Sequence, residues 1–260
     1  MTTKFVDIGD LRVRYLETEG KAVTPLIILH GWGSSIDSWT NVAFSLEKSG
    51  VKVFVPDLPG FGETPEPERA WAVDDYISFV KSFSQYIGAE TFYLAGHSFG
   101  GQIAIGYGAK YPHDTPGLIL MAAARIRKRK KMKVKVFLIF ATIGKSIFST
   151  PFLRVFIPIV QKIWRKLTGE TDYYQASPLM KKTMQLVVDE EVMVRLEAIK
   201  TPTLILWGGK DYITPLADAQ IIRKKIPNSI LYVFEDVGHD LNFKKSCEVA
   251  QKIFEFIYQQ

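Results

Sequence analysis

Cysteine is nearly absent from this chain: Cys247 stands alone among 260 residues. A single thiol excludes an intramolecular disulfide and fits a reducing compartment, so the chain is read as cytoplasmic. Cys247 falls in the C-terminal helical pattern and is assigned a packing role there. The opening MTTKFVDIGDLRVRY carries no apolar stretch of the signal-peptide kind. No apolar run reaches the ~20 residues that a membrane-crossing helix needs. Metal, nucleotide and haem motifs are missing as well, and no internal repeat is found. No metal or cofactor is therefore expected.

What remains is an ordinary globular composition, 47% hydrophobic and 23% charged. At 260 residues the chain is long enough to bury a large core, as one domain or as a core carrying an insert. Its net charge of +6 is unevenly spread. Between Arg125 and Leu196 there are 16 Lys/Arg against 5 Asp/Glu, while the rest of the chain has 17 against 22. The basic character thus belongs to one segment and points to a surface facing something anionic.

The most informative stretch runs from Thr91 to Ile105, TFYLAGHSFGGQIAI. Phe92–Ala95 is an apolar run of strand length, and helical character starts at Phe99. Between them Gly96-His97-Ser98-Phe99-Gly100 matches G-x-S-x-G, the tight strand-to-helix turn that exposes a nucleophilic serine. The pentapeptide alone is weak. A strand before it, a helix after it and a third glycine at Gly101 supply the context that makes Ser98 a candidate nucleophile.

Around this stretch strands alternate with helices. Lys4–Ile8 and Leu11–Leu16 form an expected hairpin, and Leu26–Leu29 is a strand covered on both faces. A helix spans about Ser38–Lys48, a strand Val51–Val55, and an amphipathic helix Val73–Ile87 with Tyr76, Val80, Phe83 and Ile87 on one side. Strands follow at Leu118–Met121, Thr203–Trp207 and Ile230–Phe234, with a helix at about Pro215–Ile226. A closing helix places Ala250, Ile253, Phe254 and Ile257 on one face. Such alternation means βαβ units and a mostly parallel sheet, whose ligands bind beyond the carboxyl ends of its strands. His30-Gly31-Trp32-Gly33, Asp57 to Gly62, Ser98, Asp211 and His239 all leave such ends and should converge.

A serine hydroxyl needs a base within hydrogen-bond reach. Of the four histidines, His239 in Val237-Gly238-His239 follows the last strand and is the candidate. His30 is read as orienting its glycine-rich loop and touching substrate together with Gly31. His97 is expected to turn away from the nucleophile, and His113 to be exposed. A carboxylate must fix the base's tautomer. Asp211 gives the chain order Ser, Asp, His and is preferred to Asp236 and Asp240, which can be solvated or cap the last helix. The developing oxyanion needs backbone N–H donors, assigned to Phe99 and Trp32.

His-Gly-Trp-Gly, Asp-Leu-Pro-Gly-Phe-Gly, Gly-His-Ser-Phe-Gly-Gly, Gly-Lys-Asp and Gly-His occur here in the order of the α/β-hydrolases, which the chain resembles over Lys4–Met121 and Ile199–Tyr258. The resemblance implies an α/β-hydrolase fold: a mostly parallel eight-stranded sheet, helices on both faces and an inserted helical cap. It divides the chain into a core, 1–124 and 198–260, and a cap, 125–197. The implied activity is hydrolysis of a small-molecule ester through an acyl-enzyme, without a cofactor. Carboxylesterases, among them the methyl-ester esterase of biotin synthesis, are similar. So are carbon–carbon bond hydrolases of meta-cleavage products, which often carry Asn rather than His before the serine. A ligand receptor built on the same fold is a third reading. The insert matches no known cap. It opens with eight Lys/Arg between Arg125 and Lys135. From Phe152 to Leu167 its apolar residues Phe152, Phe156, Val160, Ile163 and Leu167 share a helical face. A solvated basic face is the plainer expectation, contact with anionic lipid the sharper one, and nucleic acid is not expected.

Overall fold

The computed structural model describes residues 1–124, 126, 176–190 and 192–258. The chain divides into two compact units, 1–126 with 182–260, and 127–181. The basic run after Ile126 and the Phe152–Leu167 face lie outside the described residues. The second unit is described only at its end, where Ser177 Oγ accepts the Met180 N–H (3.1 Å) at the start of the helix Pro178–Asp189.

The first unit is built on an eight-stranded sheet in the order β1-β2-β4-β3-β5-β6-β7-β8. The strands are β1 (Thr2–Ile8), β2 (Leu11–Glu17), β3 (Leu26–Leu29), β4 (Val53–Pro56), β5 (Tyr93–His97), β6 (Leu118–Met121), β7 (Thr203–Gly208) and β8 (Ser229–Phe234). β1 pairs antiparallel with β2, and β2 with β4; all other pairs are parallel. Burial follows position in the sheet. β3 to β7 are buried at every residue, whereas edge strand β1 buries only Val6 and edge strand β8 alternates along Ile230–Val233. Continuous Leu/Ile/Val runs are what two covered faces demand, and alternation what one covered face allows.

The helices include α1 (Thr40–Lys48), α2 (Val73–Tyr86) and α3 (Phe99–Lys110). The chain enters α1 through a 3-10 turn, Ile36–Trp39, at which Ser35 Oγ accepts the Asp37 N–H (3.2 Å). The strand expected from Val51 begins at Val53, because the Val51 N–H still closes the end of α1 on Leu46 O (3.0 Å). α3 is buried from Phe99 to Gly108, as its lack of a polar face requires.

Residues 182–196, part of the expected cap, belong to the first unit and are tied to its helices. Thr183 Oγ1 accepts the Trp71 N–H (3.1 Å), and Gln102 Nε2 donates to Val187 O (2.9 Å). Arg195 bridges Asp74 (3.0 Å) and Glu190 (2.9 Å).

One packing expectation, that for Cys247, is corrected in the last helix, Ser246–Tyr258. Its buried residues are Val249, Ala250, Ile253 and Phe256, while Phe254 and Ile257 are half-buried. With apolar residues at 253, 254, 256 and 257, more than one stripe is consistent with the pattern, and contact with the core selects the one centred on Ile253. Cys247 is exposed, because the buried stripe begins two residues later. Among the described residues no helix is long and apolar enough to cross a membrane.

Candidate active site

The strand order turns back at β3, which lies between β4 and β5. Such a switch point opens a crevice at the carboxyl ends of its strands. Parallel register brings those ends level, pairing Leu29 with Gly96, His97 with Met121, and Met121 with Leu206. The loops after β3, β5, β7 and β8 therefore meet at one end of the sheet.

Ser98 lies between β5 and α3 with φ 53° and ψ −113°. A positive φ strains any residue with a Cβ. Backbone bonds over-determine it: the Ser98 N–H donates to Met121 O (2.9 Å), and Ser98 O accepts from Gln102 N (3.1 Å) and Ala124 N (2.9 Å). Two glycines make the turn sterically feasible. A Cβ on Gly96 would stand 2.2 Å from Gly100 O, and one on Gly100 would stand 2.3 Å from Leu29 O. The G-x-S-x-G spacing is thus a packing requirement of this turn.

The loop after β3 folds against that turn. Its tight bend closes with Ser34 N–H on Gly31 O (3.2 Å) and needs φ of 70° at Gly33. A Cβ on Gly31 would lie 3.4 Å from Ser98 Cβ, so glycine permits the close approach. Trp32 is half-buried, and its ring meets Phe61 (4.8 Å) and Phe99 (5.4 Å) edge-on. Phe99 opens α3, where helix geometry leaves the N–H without an intrahelical partner.

The His30 side chain is fully buried, with both nitrogens committed to backbone. Nε2 accepts the Leu58 N–H (2.9 Å), which puts the proton on Nδ1 to donate to Gly31 O (2.8 Å). The substrate contact expected of His30 is corrected accordingly: it clamps the loop after β3 to the loop after β4. Asp57 does similar work, accepting the N–H groups of Ile36 (2.7 Å) and Glu63 (3.0 Å). Burial raises its carboxyl above the ordinary range in spite of those donors and the nearby Arg14.

Asp211 and His239 are brought together by their loops. A Cβ on Gly208 would collide with Gly238 O at 2.2 Å, and Lys210 N–H donates to Val237 O (3.0 Å). The Trp207 indole N–H, deep in the core, holds Thr214 O (2.7 Å). Asp211 Oδ1 accepts the N–H groups of Ile213 and Thr214, each at 2.8 Å. Oδ2 meets Thr214 Oγ1 at 2.7 Å and His239 Nδ1 at 2.8 Å. Burial pushes this carboxyl up, but the His239 hydrogen bond and charge, with the Thr214 donors, leave it below the ordinary range. Asp236 is exposed and pairs with Lys245 (3.1 Å), and Asp240 pairs with Lys244 (3.0 Å). His113 is exposed.

Three partners were not legible in the sequence. Thr214 Oγ1 also lies 3.3 Å from His239 Nδ1. Asn242 Nδ2 donates to Ser38 O (2.9 Å), tying the loop after β8 to the loop after β3. His97 is buried inside the site, its Nε2 2.8 Å from His239 O. Only the strand-end placement of these residues hinted at such parts.

Burial lowers the His30 imidazole to about 4; for His97, burial and then the neighbouring His239 lower it to about 3. Their ordinary value is 6.5, so in acid the unfolded chain takes up these protons first. Stability is full above that value and falls as pH drops toward the folded values, by about 1.4 kcal/mol per pH unit for each histidine. Urea midpoints should fall between pH 7 and pH 5, and His97→Gln should remove about half the slope owed to the pair. A slope unchanged in His97→Gln would contradict this.

Comparison with known proteins agrees with this architecture. Residues 20–245 match the family described as Serine aminopeptidase, S33. Lipase 1 of Psychrobacter immobilis is 30% identical over 253 residues, which cover 89% of this chain and 75% of that protein. A 2-hydroxy-6-oxononadienedioate/2-hydroxy-6-oxononatrienedioate hydrolase of Paraburkholderia phymatum is 25% identical, covering 99% of this chain and 96% of its own. A crystal structure of a membrane phospholipase A superposes with a TM-score of 0.77 at 24% identity, covering 98% of this chain and 85% of the other, and shows the shared fold. By the family match across most of its length and by its sheet, the chain belongs to the α/β-hydrolase family of serine hydrolases and is a hydrolase.

Proposed function

We propose that the chain is a carboxylesterase that works through an acyl-enzyme on Ser98. The observation that carries the reading is the 2.8 Å bond from His239 Nδ1 to the buried Asp211 Oδ2. A neutral imidazole that donates through Nδ1 has its other nitrogen unprotonated, which is the state a base for a serine hydroxyl needs. In this reading Ser98 Oγ attacks the ester carbonyl as His239 Nε2 removes its proton. The oxyanion is met by the N–H groups of Phe99 and Trp32, with Gly31 giving the substrate room. His239 then returns the proton to the departing alkoxide, and water, activated the same way, releases the acid.

The likeness to Lipase 1 supports an ester substrate. A second reading, cleavage of a carbon–carbon bond in a vinylogous diketone, is supported by the Paraburkholderia phymatum relative. His97, where carbon–carbon hydrolases often carry Asn, favours the ester. A panel of p-nitrophenyl esters of graded chain length, run beside a meta-cleavage diketone, separates the two. Ester turnover with no diketone cleavage is expected. Diketone cleavage with inert esters would replace the reading, and no turnover of either would point to a ligand receptor.

A further inference from the structure

We infer that His97 is a positioning residue for the base: its Nε2–H holds the backbone carbonyl of His239 at a fixed distance from the strand that leads into Ser98. The inference rests on the proposed roles of Ser98 and His239 and adds to them the part that sets their separation. His97 ends β5 and is covalently bonded to Ser98. Its Nε2 is 2.8 Å from His239 O across 142 residues of sequence. A carbonyl can only accept, so Nε2 carries the proton and Nδ1 does not. β6 and β7 lie between β5 and β8. The bond therefore spans two strands and joins the nucleophile's own strand to the base's loop.

The three contacts on this loop divide the task. Asp211 fixes the rotation and tautomer of the His239 ring. Asn242 anchors the following residues to Ser38. His97 fixes where the His239 backbone stands relative to Ser98. Side chains ending in an amide or imidazole can hold a carbonyl without bringing charge, and charge matters here. The His97 and His239 ring centroids are 4.7 Å apart, and His239 becomes an imidazolium each time it takes the serine proton. A cationic donor at position 97 would oppose that proton transfer directly. Burial of His97 keeps it neutral across the working range. The ring packs edge-on against Trp39 at 6.2 Å, and a Cβ added at Gly31 would lie 3.2 Å from its Nδ1. A side chain at position 31 would therefore press on the His97 ring.

Displacing a base by about 1 Å costs on the order of 10²-fold in rate. The test compares His97→Leu, which fills the space without a donor, and His97→Asn, whose amide is too short, with His97→Gln, whose Nε2 reaches to the imidazole Nε2 position. Thermal midpoints report folding, and turnover of p-nitrophenyl butyrate together with the rate of fluorophosphonate labelling report function. His97→Leu and His97→Asn should lose roughly 30- to 100-fold in kcat and in labelling rate, with KM within about twofold. His97→Gln should stay within about fivefold of wild type in both. On a His239→Ala background His97→Leu should cause no further loss, since the strut acts only through His239. If His97→Leu does not fold, the contrast of Asn with Gln decides. Wild-type kcat in the Leu or Asn variants, equal losses in Asn and Gln, or a full additional loss on the His239→Ala background would each overturn the inference. Failure of the underlying reading shows up separately, as wild-type protein inert toward p-nitrophenyl esters or as Ser98→Ala retaining activity.

Discussion

Ser98→Ala should lose at least ~10³-fold in turnover while its fold is kept, because what remains comes from oxyanion donors and binding alone. The fold is safe because the bonds that hold residue 98 are made by its backbone. Its N–H donates to Met121, and its carbonyl accepts from Gln102 and Ala124. None of these needs the hydroxyl. A fluorophosphonate should label the wild type stoichiometrically and leave the alanine variant unlabelled. The strain at this position gives a second, opposite readout. A φ of 53° with a Cβ attached costs roughly 1–3 kcal/mol, and alanine keeps that cost whereas glycine removes it. Ser98→Gly should therefore be as inactive as Ser98→Ala but melt a few degrees higher. Ester hydrolysis at the wild-type rate in either variant would remove Ser98 from the mechanism.

The elbow was legible because its requirement is local. Gly96 is fixed by the backbone of Gly100 and Gly101 within the same turn, and the strand and helix flanking it are written in hydropathy. The loops after β3, β7 and β8 were legible for a related reason: parallel strands must end at one edge, so polar residues at their carboxyl ends must gather. What the sequence did not disclose are contacts made by residues far apart in it. His97 and His239 are 142 positions apart, and Asn242 and Ser38 are 204 apart. No periodicity records such a pairing. His30 was misread in part for the same reason, since a histidine beside glycines looks exposed until the Leu58 N–H that covers it is known. In the last helix Phe254 and Phe256 are equally apolar, and only contact with the core distinguishes the buried one.

Asp211→Asn should depress turnover by about 10⁴-fold, the loss expected when the base is held in its wrong tautomer, and Asp236→Asn by less than about fivefold. The hydrogen bonds around Asp211 dictate the first result. Two backbone N–H groups, of Ile213 and Thr214, point at Oδ1. An amide put in place of the carboxylate must turn its oxygen to them, since its NH2 would face two donors there. That leaves the NH2 at the Oδ2 position, opposite the Thr214 hydroxyl and His239 Nδ1. The hydroxyl can rotate and accept, so the loop keeps its shape and the protein folds. His239 Nδ1 must also accept, which moves the imidazole proton to Nε2, and a nitrogen that already carries a proton cannot take one from Ser98. Asp236 has no such leverage. It is 67% exposed, its partner is Lys245 at 3.1 Å, and solvent screens an exposed pair of this kind. Steady-state kinetics of the two variants on one ester, with thermal midpoints as the control for folding, decide the matter. A strong loss in Asp236→Asn beside a nearly active Asp211→Asn would transfer the orienting role to Asp236 and require the His239 loop to rearrange during turnover.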